Sequence, residues 1–85
     1  MKPSSHISWF IETKGATLCS QDNRICLSIP YPYAALWALF ANGNYDKKYA
    51  VELVSVLMSV DKHEAEREVV ETISAWIKEG ILSGE

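Results

Sequence analysis

Apolar and polar positions alternate over the first third of the chain and then change period. Residues 7–13 place Ile7, Trp9 and Ile11 two apart, with the β-branched and aromatic content that suits a strand. Lys14-Gly15 follows as a turn, residues 16–20 form a second short strand, and Gln21 to Arg24 are polar and turn-like. Residues 25–29 alternate again as a third strand, which Pro30 ends. A two-residue loop at Lys14-Gly15 sets Ile11 opposite Leu18 and Phe10 opposite Cys19. A turn centred on Asp22-Asn23 sets Leu18 opposite Leu27 and Cys19 opposite Cys26. Both turns assign Ile11, Leu18 and Leu27 to one core-facing row, with Trp9, Ser20 and Ile25 beside it, and Phe10, Cys19 and Cys26 to the outer face. The expectation is a three-stranded antiparallel meander whose free edges are its first and third strands.

From Pro32 the spacing becomes helical. Tyr33, Leu36, Trp37 and Phe40 fall at i, i+3, i+4 and i+7, and Asn42-Gly43 stops the helix. Asp46 is the N-cap candidate of a second helix with the stripe Ala50, Leu53, Val54 and Leu57. Asp61 and Glu64 form a capping-box pattern at the head of a third, whose stripe is Val69, Ile73, Trp76 and Ile77. Gly80 closes that helix, and Ile81-Leu82 are placed to fold back onto the core. The fold class is therefore α+β, a three-stranded antiparallel meander followed by three helices, winged-helix-like, in a single domain over residues 1–85 with residues 1–5 expected to be mobile.

Composition narrows the function. Apolar residues are 48% and charged residues 22% of the chain, ordinary for a globular protein and too apolar for a disordered one. Eight Lys+Arg against 11 Asp+Glu give a formal net charge of −3, which argues against nucleic acid. No apolar run is long enough to span a bilayer, and the N-terminus lacks the apolar region of a secretory signal, so the expected location is cytoplasmic and no membrane partner is expected. His6 and His63 stand apart from each other and from Cys19 and Cys26. No catalytic set, metal motif or phosphate loop is present, so neither an enzyme nor a cofactor is expected. Cys19 and Cys26 are expected as neighbouring reduced thiols packed against Phe10, with α-carbons roughly 4.5–5.5 Å apart.

Residues 29–43, with Leu36-Trp37 and the closing Gly43, resemble the first-helix segment of the PqqD-like family, which reads roughly L-N-x-T-A-x-x-I-W-x-L-L-x-G. The run from Asp61 to Val69 is similar to that family's D-x-x-x-A-x-x-D-V, and Glu79-Gly80-Ile81-Leu82 to its E-x-G-L-L close. The resemblance covers almost the whole chain. It implies a stand-alone recognition element for ribosomally made peptides, a peptide chaperone that binds a precursor's leader and presents it to a modifying enzyme, either a radical SAM protein or a leader peptidase. In that family the leader adds to the third strand and packs on the third helix. Carried onto this chain, the peptide-binding residues are Arg24, Ile25, Cys26, Leu27 and Ser28 with Glu66, Val69, Val70 and Ile73. The acidic third helix favours a basic or mixed leader. The expected state is a monomer or weak dimer.

The alternative is a winged-helix DNA-binding or transcription-associated domain. Its recognition helix is short of the Arg, Lys, Asn and Gln that read bases: Glu52 is the charged residue inside helix two, and Arg67 sits among glutamates in helix three. A filter-binding or anisotropy assay with random duplex DNA at physiological salt is expected to show no measurable binding. Micromolar affinity with a steep salt dependence would favour the alternative.

Overall fold

The computed structural model describes residues 1–21 and 26–84. In chain order these form β1 (Lys2–Pro3), β2 (Ile7–Glu12), β3 (Gly15–Ser20), β4 (Cys26–Pro30), α1 (Tyr33–Ala41), α2 (Lys47–Met58), α3 (Lys62–Lys78) and β5 (Leu82–Ser83). The expected meander is present as the antiparallel sheet β2-β3-β4, with β3 in the centre. The expected first, second and third strands are thus β2, β3 and β4, and the three helices follow as read from the sequence.

Two features of the sheet differ from the expected pattern. The β2–β3 loop is Thr13-Lys14 rather than Lys14-Gly15, so Trp9 faces Leu18, Ile11 faces Ala16, and Ser8 rather than Phe10 faces Cys19. Gly15 is required in the ladder, not the turn. Its φ is +154°, and a Cβ there would lie 2.2 Å from the Ile29 carbonyl oxygen. The slip is two residues, an even number, so every side chain keeps its expected face. The β3–β4 register matches expectation, with Leu18 opposite Leu27 and Cys19 opposite Cys26. Within the row assigned to the core, however, only Leu18 is buried; Ile11 and Leu27 are 44% and 41% exposed. The burial in the sheet falls on Ala16 and Leu18 of β3 and on Ile29 of β4.

The cysteines also depart from expectation. Cys19 and Cys26 are joined in a disulfide, with α-carbons 4.1 Å apart. Phe10 is set opposite Thr17, one pair along the ladder, and is 54% exposed. Residues 1–5 contain β1, which pairs with β5 through Lys2–Ser83 and Pro3–Leu82. Ser4 adds a backbone N–H bond to the Ile81 carbonyl and a hydroxyl bond to the Gly80 carbonyl.

The helices begin and end where the sequence signals lie. Asp46 and Asp61 are N-caps, accepting from the backbone N–H of Tyr49 at 3.1 Å and of Glu64 at 2.8 Å. The Glu64 carboxylate pairs with Arg67. Gly43 and Gly80 take the positive φ that follows α1 and α3. Inward-facing Leu36, Trp37 and Phe40 of α1 meet Val54 of α2, Val69, Ile73 and Trp76 of α3, and Leu18 and Ile29 of the sheet in one core. Tyr33 and Leu53 of the expected stripes are half-buried, and Leu57 and Ile77 are exposed. The Tyr33 hydroxyl donates to Glu68 of α3 at 3.3 Å. Burial first, and then the neighbouring Glu68 charge, hold that phenol above its ordinary pKa.

Gly15→Ala is expected to destabilise the protein by roughly 2–4 kcal/mol, because the methyl meets backbone that cannot move aside. Thermal unfolding followed by circular dichroism measures this; a midpoint within about 2 °C of the parent would contradict the close approach.

Candidate peptide-binding edge

The α-carbon separation of 4.1 Å at Cys19–Cys26 marks a narrow, non-hydrogen-bonded pair. Because antiparallel pairs alternate, Leu18–Leu27 and Ala16–Ile29 exchange the bonds that hold β4 to β3, while the amide groups of Cys26 and Ser28 point to the free side. Pro30 occupies the next outward position, where its missing N–H costs the ladder nothing. Among the described residues no strand pairs with this side of β4. The edge therefore presents a short row, the N–H groups of Cys26 and Ser28 and the carbonyls beside them, to any added strand.

Next to this row is a cavity of about 460 Å³, lined by His6, Ile7, Leu18, Ser20, Cys26, Leu27, Glu79 and Ile81. Ile7, Leu18 and Leu27 reach it from the inner face of the sheet. Ile81 is held there by the turn after α3, in which the Ile81 N–H bonds the Trp76 carbonyl and the Gly80 N–H bonds the Ile77 carbonyl. Glu79 supplies a carboxylate and His6 an imidazole at the wall. An extended segment on β4 would direct alternate side chains towards this apolar floor.

The residues singled out from the sequence fall into separate groups. Arg24 and Ile25 lie outside the described residues. Cys26, Leu27 and Ser28 are exposed on β4, and Cys26 and Leu27 line the cavity. Val69 and Ile73 are core residues, 1% and 8% exposed. Glu66 and Val70 line a different depression with His63, Arg67 and Glu71 on the N-terminal half of α3. The structure thus brings the β4 residues to the C-terminal end of α3, not to its beginning. His6, Ile7, Leu18, Ser20, Glu79 and Ile81 also line the cavity and are not among the residues singled out from the sequence. The legible signal was Ile81, an apolar residue directly after a helix-closing glycine, the position that packs back on the helix end.

A further depression of about 520 Å³ lies between the starts of α2 and α3, lined by Asp46, Lys47, Lys48, Val51, Glu52, Lys62 and Glu66. Its charges are of both signs, and Lys62 and Glu52 already pair across it at 3.6 Å. It has no strand edge beside it. Among the described residues no cluster of His, Cys, Asp and Glu is suited to hold a metal ion, and no helix is long and apolar enough to cross a membrane.

No family model matches the sequence, and no curated protein matches it. A solved structure does match its fold. "TbiB1 in Complex with the TbiA(beta) Leader Peptide" superposes on this chain with a TM-score of 0.84 at 18% sequence identity, over 100% of this chain and 98% of the other. At that identity the likeness establishes the architecture, a meander followed by three helices, over all of this chain and nearly all of the other.

Backbone hydrogen exchange tests the orientation of β4. The amides of Leu27 and Ile29 are expected to exchange at least tenfold more slowly than those of Cys26 and Ser28. The reverse order would invert the edge.

Proposed function

We propose that this chain is a non-enzymatic adaptor that binds the leader of a ribosomally synthesised peptide as an added strand on β4 and presents it to a modifying enzyme. The observation that carries this reading is the unpaired β4 edge beside an apolar cavity, in a fold that matches over its whole length a protein solved with a leader peptide. In this reading the backbone groups of Cys26 and Ser28 supply affinity. Leu18, Leu27 and Ile81 select an apolar leader side chain, and Arg24 and Ile25 are counted with them as peptide-binding residues in this reading. Glu79 at the cavity wall favours a basic residue flanking that anchor. Glu66 and Val70, in the separate depression on the N-terminal half of α3, offer a second contact to a longer leader. The receiving enzyme is a radical SAM protein or a leader peptidase.

The test uses isotopically labelled protein and a synthetic extended peptide that carries an apolar anchor flanked by lysine. Titration is expected to shift the amides of Cys26, Leu27 and Ser28 together with those of Glu79 and Ile81. Ser28→Pro removes an outward N–H that takes no part in the β3–β4 ladder, and is expected to weaken binding about tenfold while leaving the fold intact. Shifts confined to α1 and α2 would overturn the reading, as would shifts confined to β2.

A further inference from the structure

The opposite side of the sheet carries a second unpaired edge, and its chemistry differs from that of β4. Ser8, Phe10 and Glu12 face Cys19, Thr17 and Gly15 as the hydrogen-bonded pairs of the β2–β3 ladder, by the same alternation that runs from the narrow Cys19–Cys26 pair. The amides of Ile7, Trp9 and Ile11 therefore point outward. Ile7 agrees, since its N–H bonds the Ser4 carbonyl at 3.1 Å. That leaves the N–H and C=O groups of Trp9 and Ile11 facing solvent, and among the described residues no strand pairs with them.

The side chains along this edge are apolar on both faces. Trp9 and Ile11 on the inner face are 36% and 44% exposed, and Phe10 on the outer face is 54% exposed. Edge strands are ordinarily protected by lysine, proline, a bulge or an inward charge. The run Ile7-Ser8-Trp9-Phe10-Ile11 has no charged residue and no proline, and pairs with β3 without a bulge.

We infer that β2 is a self-pairing surface, through which two copies of this chain join β2 to β2 antiparallel about Phe10 and continue the sheet across both. The register follows from the free groups. A two-fold axis through Phe10 sets Trp9 of one copy opposite Ile11 of the other, and each such pair exchanges both of its N–H···O bonds. Phe10 then meets Phe10 in the narrow pair on the outer face, while Trp9 and Ile11 cover one another on the inner face. Glu12 falls opposite Ser8, so no like charges meet despite the net charge of −3. An axis through Trp9 would instead bring Ile11 to Ile7, whose N–H is engaged by Ser4. A second copy thus satisfies the backbone and covers the apolar residues on both faces at once. An interface of one short strand per copy is small, so the association is weak and depends on concentration. It uses the edge opposite β4 and is independent of leader binding.

Sedimentation velocity of the full chain, from micromolar to near-millimolar concentration, is expected to show a rise from one towards two chain masses. Ile11→Pro removes an outward N–H and leaves the β2–β3 bonds in place; it is expected to weaken self-association at least tenfold. Phe10→Cys is expected to give a covalent dimer on mild oxidation, and Glu12→Cys, which faces Gly15 and not the disulfide, to give none. A chain that stays monomeric throughout would overturn the inference. So would self-association unchanged by Ile11→Pro, or cross-linking of Glu12→Cys as ready as that of Phe10→Cys. The peptide titration reads the amides of Cys26 and Ser28, so its outcome and this one are separately visible.

Discussion

Trp37 lies edge-on to Trp9 of the sheet at 5.9 Å and to Trp76 of α3 at 5.3 Å, with none of its surface reaching solvent. Phe40, one turn along α1, also meets Trp76 edge-on and stacks on Tyr45 before α2. A helix of nine residues thereby touches every other layer of the molecule. A large aromatic buried in this way is worth about 3–5 kcal/mol against truncation, a sizeable share of the stability of so small a protein. Among the described residues the Trp37 indole N–H has no hydrogen-bond partner, which sets some of that gain aside for shape. The position of α3 relative to the sheet, and hence the cavity beside β4, depends on this contact.

Much of the fold was legible because it follows from local rules. Period-two and period-3.6 patterns identified the meander and the three helices, and Asp46, Asp61, Gly43 and Gly80 fixed the helix ends. The β3–β4 register was legible because the intervening polar run and the apolar rows agree. The first hairpin was not, because Gly15 reads as a turn residue, and its actual role is to admit the Ile29 carbonyl of β4. That requirement comes from a residue 14 positions away and leaves no mark in the local pattern.

The site was less legible than the fold, for a related reason. The β4 half of it lies on one strand and could be read in line. The α3 half depends on where the helix crosses the sheet, a packing angle set by Trp37 and Trp76 rather than by any periodicity. Helical spacing identifies the inward stripe Val69, Ile73 and Trp76, but inward here means towards the core. The residues that border the cavity come from the helix end, from Ile81 after it, and from His6 and Ile7 ahead of β2. They share no element, so no spacing rule links them.

The bond between Cys19 and Cys26 spans a sequence separation of only seven. A loop that short removes little freedom from the unfolded chain, about 2–3 kcal/mol on the chain-entropy view. Its effect falls instead on the end of β4, where it ties the outward amide of Cys26 to the central strand of the sheet. An edge that cannot fray does not have to be ordered when a partner strand arrives, so less of the binding energy is spent on immobilising the receptor. The disulfide thus acts less on whether the protein folds than on how firmly the exposed end of β4 is held to the sheet.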